Sequence, residues 1–158
     1  MRLRQGCRGW QWMLLAVAAD RLTKAMARAS ALPGTLIPGV LGFRRVRNAG
    51  MAFSMLSGHF WLLTVFTGLL IAGIVFYLLR RPQEPTAVRA GLWLIAGGGL
   101  GNLYDRLTMG AVTDFIELKF MRFAIFNVAD VCICAGAALV LLGVWRADRK
   151  KERAHGEI

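Results

Sequence analysis

The chain has 158 residues, 56% of them hydrophobic, and a formal net charge of +11 at pH 7. Its mean hydropathy of +0.50 excludes an ordinary soluble domain, and its length suits a single domain, residues 1–158. The basic residues flank apolar stretches, and this distribution argues against a nucleic-acid-binding protein.

Four apolar stretches are candidates for crossing a bilayer, which takes about 20 residues in a helix. They lie at about 10–29, 59–80, 88–107 and 123–146. The first is the weakest, because its second half is interrupted by Asp20, Arg21, Lys24 and Arg28. The pattern predicts an α-helical membrane protein with four transmembrane helices.

Turn-forming residues after the first stretch separate two short strand-like runs, 40–46 and 51–55. The turns contain Pro33-Gly34, Pro38-Gly39 and Asn48-Ala49-Gly50. A small extracytoplasmic β element is therefore predicted between spans 1 and 2. Residues 111–122 are predicted to form a second extracytoplasmic loop, between spans 3 and 4.

Basic residues predict the orientation of the chain in the membrane. They are frequent before the first span, between the second and third spans, and in the tail 147–158. By the positive-inside rule these three segments, and with them both termini, are cytoplasmic. The bias is incomplete, because five basic residues fall on the other side: Arg44, Arg45, Arg47, Lys119 and Arg122.

Four carboxylates lie within these stretches or at their ends: Asp20, Asp105, Asp114 and Asp130. An ionisable group at membrane depth costs several kcal/mol, so each needs a partner or a task. Asp20 and Lys24, four residues apart, are predicted to form a structural ion pair. Asn102, Asp105 and Arg106 share one face of the third helix, where Asp105 and Arg106 can neutralise each other. Gly97 and Gly101 in the same stretch allow close approach of another helix.

Asp114 and Asp130 have no evident cation nearby in the sequence, and both are predicted near the extracytoplasmic surface. Two adjacent carboxylates share one proton, which supplies an acid and a base for hydrolysing an amide. The alternative is two unrelated polar caps. Other catalytic types have little support, because His-Glu-x-x-His and Gly-x-Ser-x-Gly are absent from the sequence and only Ser54 with Lys24 suggests a nucleophile pair.

Five short motifs together resemble the bacterial lipoprotein signal peptidases, also called signal peptidase II. They are Asp20-Arg21-Leu22-Thr23-Lys24, Asn48-Ala49-Gly50-Met51-Ala52-Phe53, Gly98-Gly99-Leu100-Gly101-Asn102-Leu103-Tyr104-Asp105-Arg106, Val112-Thr113-Asp114-Phe115 and Phe126-Asn127-Val128-Ala129-Asp130. Each is weak alone, but five in this order on four spans are specific. The chain departs from the family at Ala124, where Pro is common, and at Val131, where Ser is frequent; neither change touches the acids.

The resemblance implies an aspartyl endopeptidase of the bacterial inner membrane, with no metal or cofactor. Such enzymes cut prolipoproteins before a diacylglyceryl-modified Cys, within membrane lipid, and are blocked by the cyclic peptide globomycin. The resemblance makes Asp114 and Asp130 the catalytic pair. Residues expected to bind substrate or shape the site are Asp20, Lys24, Asn48, Asn102, Asp105, Arg106 and Asn127.

A small transporter or channel subunit is the competing hypothesis, with the intramembrane carboxylates as an ion or proton relay. Relay groups usually lie near the midplane, whereas Asp105, Asp114 and Asp130 are predicted at one surface. A purely structural membrane protein would leave Asp114 without a role. The peptidase hypothesis is therefore the stronger one, with Asn102, Asn127 and Arg106 positioning the peptide and residues 48–53 clamping it.

Overall fold

Four helices and one three-stranded sheet make up the regular structure of the residues that the computed structural model describes, 9–50, 60–121 and 123–155. The helices are α1 (Trp10–Arg28), α2 (Phe60–Arg80), α3 (Thr86–Met109) and α4 (Val128–His155). The strands are β1 (Thr35–Ile37), β2 (Leu41–Asn48) and β3 (Val112–Leu118). Within those described residues, two helices are long and apolar enough to cross a membrane, α2 and the part of α4 from Val128 to Lys150.

The first three helices lie where hydropathy predicts them, but the prediction that the fourth begins near residue 123 is wrong. Helix α4 begins at Val128. Phe126 instead forms an antiparallel bridge with Ile116 of β3, and its backbone amide and carbonyl both bond to that strand. The apolar run before α4 therefore extends the sheet, although its hydropathy resembles that of a membrane span.

Helix α3 packs against all three other helices. Its glycines make this possible, as the Gly97–Gly101 spacing predicts. A Cβ on Gly97 would come within 2.7 Å of the Met13 carbonyl oxygen in α1, and one on Gly98 would meet the Ala129 carbonyl oxygen in α4. Small residues at these contacts bring the backbones close, so polar groups on α1, α3 and α4 come within hydrogen-bonding distance.

The predicted β element is present, and the sheet is antiparallel with the order β1-β2-β3. The prediction of a loop at 111–122 is wrong for Val112–Leu118, which form β3. Its Asp114 lies opposite Val46, and its Val112 lies opposite Asn48. β3 is stabilised by pairing with β2, a segment distant in sequence, which a local pattern does not reveal. The run predicted at 51–55 lies outside the described residues.

The sheet is attached to the ends of α1 and α3. Arg45 donates a 3.0 Å hydrogen bond to the carbonyl oxygen of Arg28, and Arg47 donates one of 2.8 Å to that of Met109. These carbonyl oxygens belong to the last residues of α1 and α3, and a cation is favourable at the C-terminus of a helix. Gly110, with φ 68°, ends α3 in the left-handed conformation and turns the chain directly into β3.

Candidate active site

A buried ion cluster joins α1 to α3. Asp20, Lys24 and Asp105 have fully buried side chains, and the Lys24 ammonium lies 3.0 Å from Asp20 and 3.1 Å from Asp105. Arg21 contacts both carboxylates at 2.7 Å, and Arg28 lies 3.5 Å from Asp105. The predicted Asp20–Lys24 pair is confirmed.

The partners of Asp105 differ from the expected one, Arg106. Asp105 is held by cations of α1 and by the backbone amide of Thr113 at 3.1 Å. Arg106 borders a cavity instead, and it donates to the carbonyl oxygen of Gly50 at 3.5 Å. Consecutive helical residues point about 100° apart, so the two side chains face different neighbours.

Lys24 also fixes the orientation of an amide. It donates to Oδ1 of Asn102 at 2.8 Å, and Nδ2 of Asn102 donates to Oδ1 of Asp130 at 2.8 Å. An ammonium has only donors, so the oxygen of the Asn102 amide must face Lys24. The three donors of Lys24 are thus used by Asp20, Asp105 and Asn102, which argues against Lys24 as the base of a Ser54 nucleophile. Ser54 lies outside the described residues.

Asp130 lies at the start of α4, where it forms a capping box with Asn127. The Asn127 Oδ1 accepts from the backbone amide of Asp130 at 3.0 Å, and the Asp130 Oδ2 accepts from that of Asn127 at 3.1 Å. The amide of Ala129 donates to Asp20 at 3.2 Å. Asp130 is thus held by backbone and side-chain donors, and the helix start provides a favourable field for its negative charge.

Asp114 projects from β3 and is 3% exposed. It accepts from Nδ2 of Asn48 at 2.9 Å and from Nδ2 of Asn127 at 2.6 Å. The pKa of Asp114 is raised to about 6, mainly by burial and to a smaller extent by the charge on Asp130, against the opposing effect of the two amides. Asn127 therefore bonds to both acids, through its side chain to Asp114 and through its backbone amide to Asp130.

The two acids border one cavity of about 600 Å³. Its polar lining consists of Asn48, Asn102, Arg106, Asp114 and Asp130. Its apolar lining comes mainly from the segment before α4 and the first turns of that helix: Val112, Phe123, Ala124, Ile125, Phe126, Val131, Ile133, Cys134 and Ala135. A mostly apolar cavity with a few convergent polar groups is typical of a binding site.

The described residues among those predicted for the site lie in this cavity or in the network beside it, whereas residues 51–53 of the predicted clamp lie outside the part of the chain that the structure describes. Sequence reasoning missed Arg21 and Arg28, which were regarded as interruptions of a span. The available indication was their spacing, because Arg21, Lys24 and Arg28 recur every three or four residues and so share one helical face. The sheet contacts of Arg45 and Arg47 were also missed, since nothing local predicts a distant helix end.

The family model for signal peptidase (SPase) II matches residues 12–146. The chain belongs to the signal peptidase II family. A lipoprotein signal peptidase of Gloeobacter violaceus is 37% identical over 146 residues, covering 89% of this chain and 84% of the relative. One of Streptococcus pyogenes serotype M1 is 37% identical over 139 residues, covering 86% and 91%.

Two solved structures, each titled as a bacterial membrane enzyme, are similar to this signal peptidase II. One has a TM-score of 0.81 over 89% of both chains, and the other has 0.75 over 85% of this chain and 90% of its own; both are 27% identical. The chain is therefore a peptidase with the fold of a membrane enzyme. No finding supports the competing hypothesis of an ion relay.

Proposed function

We propose that this signal peptidase II removes the signal peptide from prolipoproteins, cleaving before a lipid-modified Cys with Asp114 and Asp130 as the catalytic pair. The observation that carries the proposal is their shared contact with Asn127, at 2.6 Å and 3.1 Å, on the wall of one cavity. Two acids so placed can hold one water molecule between them.

The mechanism follows from the sharing of one proton by two neighbouring carboxylates. The ionised acid takes a proton from water as the water oxygen attacks the scissile carbonyl carbon. The protonated acid donates its proton to the carbonyl oxygen, which gives a tetrahedral intermediate. As the C–N bond breaks, the acid that took the proton from water donates it to the leaving nitrogen, and one hydroxyl of the intermediate returns its proton to the other acid. Because the pKa of Asp114 is raised to about 6, mainly by burial, a fraction of the Asp114 carboxyl groups holds the shared proton near neutral pH.

The rest of the cavity suits an extended peptide that arrives from lipid. Asn102 and Asn127 hold the acids in place, and Arg106 offers a cation to a peptide carbonyl. The apolar wall at Val131, Cys134 and Ala135 lies on a helix apolar enough to cross the membrane. Substrate acyl chains and the signal helix would approach along this wall, and globomycin would occupy the same cavity.

The membrane arrangement in this proposal has four spans, with both termini in the cytoplasm of a bacterium and the inner membrane as its location. The basic residues support it, because Arg80, Arg81 and Arg89 lie at the end of the bundle opposite the sheet, as do those near the end of α4. The acids then lie near the extracytoplasmic surface, where water reaches them.

Cleavage of a purified precursor in detergent tests the assignment. Asp114→Asn and Asp130→Asn are each expected to lower turnover by roughly 10²–10⁴-fold or more, the usual contribution of a general acid or base. Asp148→Asn changes an exposed carboxylate on α4 and serves as the matched control, with unchanged turnover expected.

A precursor without the lipid should be a poor substrate for the same enzyme. Wild-type turnover in either Asn variant, with the protein folded and inserted, would overturn the assignment of the pair. Equal cleavage of lipidated and unlipidated precursors would instead overturn the proposed substrate class.

A further inference from the structure

The end of the sheet opposite Asn48 carries a group of exposed apolar side chains. Its members, which we call the sheet tip, come from the β1–β2 turn region and from the residues after β3: Leu36, Ile37, Val40, Phe120 and Met121. They are between 44% and 62% exposed. The two segments touch, because the Lys119 amide donates to the carbonyl oxygen of Val40 at 2.9 Å and Leu41 pairs with Leu118. The side chains therefore form one patch.

Three basic residues lie on β2 or directly after β3. Arg44, Arg45 and Lys119 are exposed, and Arg44 is paired with Glu117 at 3.0 Å. Among the described residues, no carboxylate lies within ion-pair distance of Arg45 or Lys119. Lys119 donates to the Thr35 hydroxyl at 2.6 Å, beside Leu36, and Arg45 donates to the carbonyl oxygen of Arg28, so each cation is held by a neutral oxygen.

The sheet tip also lies at the end of the bundle where α2 begins. A short turn joins α2 to α3, so the two helices run antiparallel, and the start of α2 lies near the end of α3 and the sheet. Trp61, in the first turn of α2, is 71% exposed. An aromatic residue at the end of an apolar helix marks the membrane–water interface.

We propose that the sheet tip inserts into the interfacial layer of the leaflet on its side, with Lys119 and Arg45 bound to anionic phospholipid headgroups. A patch of five large apolar side chains is unfavourable in water, and flanking cations fit a negatively charged lipid surface. The sheet would then lie along the membrane instead of projecting from it. Insertion of the sheet tip does not depend on which residues are catalytic, so insertion and the catalytic assignment can fail separately.

Lipid contact at the sheet tip would affect the site at the other end of the same strands. β2 ends in Asn48, which donates to Asp114 of β3. A sheet held against the headgroups fixes the height of these two residues above the hydrocarbon. It thereby sets the level at which a lipid-anchored peptide bond can meet the acids.

Fluorescence in vesicles of phosphatidylcholine, with and without phosphatidylglycerol, tests the proposal on the full chain. An environment-sensitive fluorophore is attached to Met121→Cys or to Glu152→Cys, an exposed position far along α4, each in a background without the native cysteines. At position 121 we expect shorter-wavelength emission and quenching by lipids that carry a nitroxide near the headgroup. At position 152 we expect neither.

Charge variants test whether Lys119 binds anionic headgroups. Phosphatidylglycerol should increase quenching at position 121, and Lys119→Glu should abolish that increase. Thr35→Val removes the hydrogen bond to Lys119 but keeps the charge, so it should retain the increase. Emission at position 121 like that in water would overturn insertion, and quenching equal in both vesicle types would overturn the headgroup contact. Quenching that depends on protein density instead of nitroxide lipid would show a second copy on the tip and would also overturn the proposal.

Discussion

Asn127 is the residue on which the site converges. Its amide nitrogen donates to Asp114 and to Asn102, and its amide oxygen accepts from the backbone of Asp130. All the polar atoms of the side chain are thus bonded in one orientation. Asn127 therefore caps α4 and also holds Asp114 and Asp130 in position, and substitutions can separate these two roles.

Asn127→Asp is expected to preserve the helix cap while disrupting the acid pair. Aspartate caps helices about as well as asparagine, but it cannot donate to Asp114, and it adds a negative charge beside two others. Asn127→Ala should cost about 1 kcal/mol of stability through the lost cap. Thermal unfolding in detergent and turnover of a precursor check both variants. Activity in the Asp variant equal to that of the wild type would contradict the role given to the amide donors.

The raised pKa of Asp114 predicts a pH dependence of stability with a definite sign. Since the folded-state pKa, about 6, exceeds the ordinary value of 3.8 for an aspartate, folding favours the protonated form. That contribution is complete below pH 3.8 and is lost as the pH rises through 6. The Tm of the wild type should therefore fall between about pH 4 and pH 6, and the Tm of Asp114→Asn should fall less over the same range. An equal fall in both proteins would show that Asp114 does not titrate in this range.

At the scale of elements, hydropathy predicts the helices well because each apolar stretch is local. Hydropathy fails between residues 123 and 127, because this apolar run bonds to β3 and helix α4 begins only after the Asn127 cap. The site residues Asp20, Lys24, Asn102 and Asp130 were predicted individually. Apart from the Asp20–Lys24 pair, the contacts among them were not predicted, because they depend on how closely α1, α3 and α4 approach one another.

Close approach of α1 and α3 depends on Gly101. A Cβ there would meet the carboxylate of Asp20, so Gly101→Ala must displace the ion cluster. Overpacking of this kind costs about 1–3 kcal/mol, and turnover should fall as Asn102 and Asp130 shift. Gly73→Ala in α2 is the matched control, since none of the described residues has an atom within 4 Å of its added Cβ and alanine is the better helix former. Thermal unfolding and turnover compare the two. A Gly101 variant as stable as the Gly73 variant would rule out the close contact.

For the whole molecule, the ion cluster and the acid pair form one hydrogen-bonded network at the sheet end of the bundle. Lys24 is its link, because it bonds to two carboxylates and to the amide that holds Asp130. A buried ion pair is weak support for stability, since desolvation offsets much of its attraction. The cluster instead specifies how the helices pack: the buried charges are paired in only one arrangement of α1 against α3, and that arrangement orients Asn102.

Lys24→Met is therefore expected to reduce both stability and activity. It leaves Asp20 and Asp105 buried with one cation fewer, and removing one partner of a buried pair costs about 3–5 kcal/mol.

Adding Asp20→Asn to Lys24→Met removes one of the two uncompensated charges and should recover part of the Tm. It should not recover turnover, because the oxygen of Asn102 has lost its charged donor and keeps only the 3.2 Å bond from Asn127, so the amide is held less firmly toward Asp130. Lys150→Met, at an exposed position of α4, should leave both quantities unchanged. Tm and turnover measured on these variants separate the two effects, and a double variant that regained full turnover would show that Lys24 acts on stability alone.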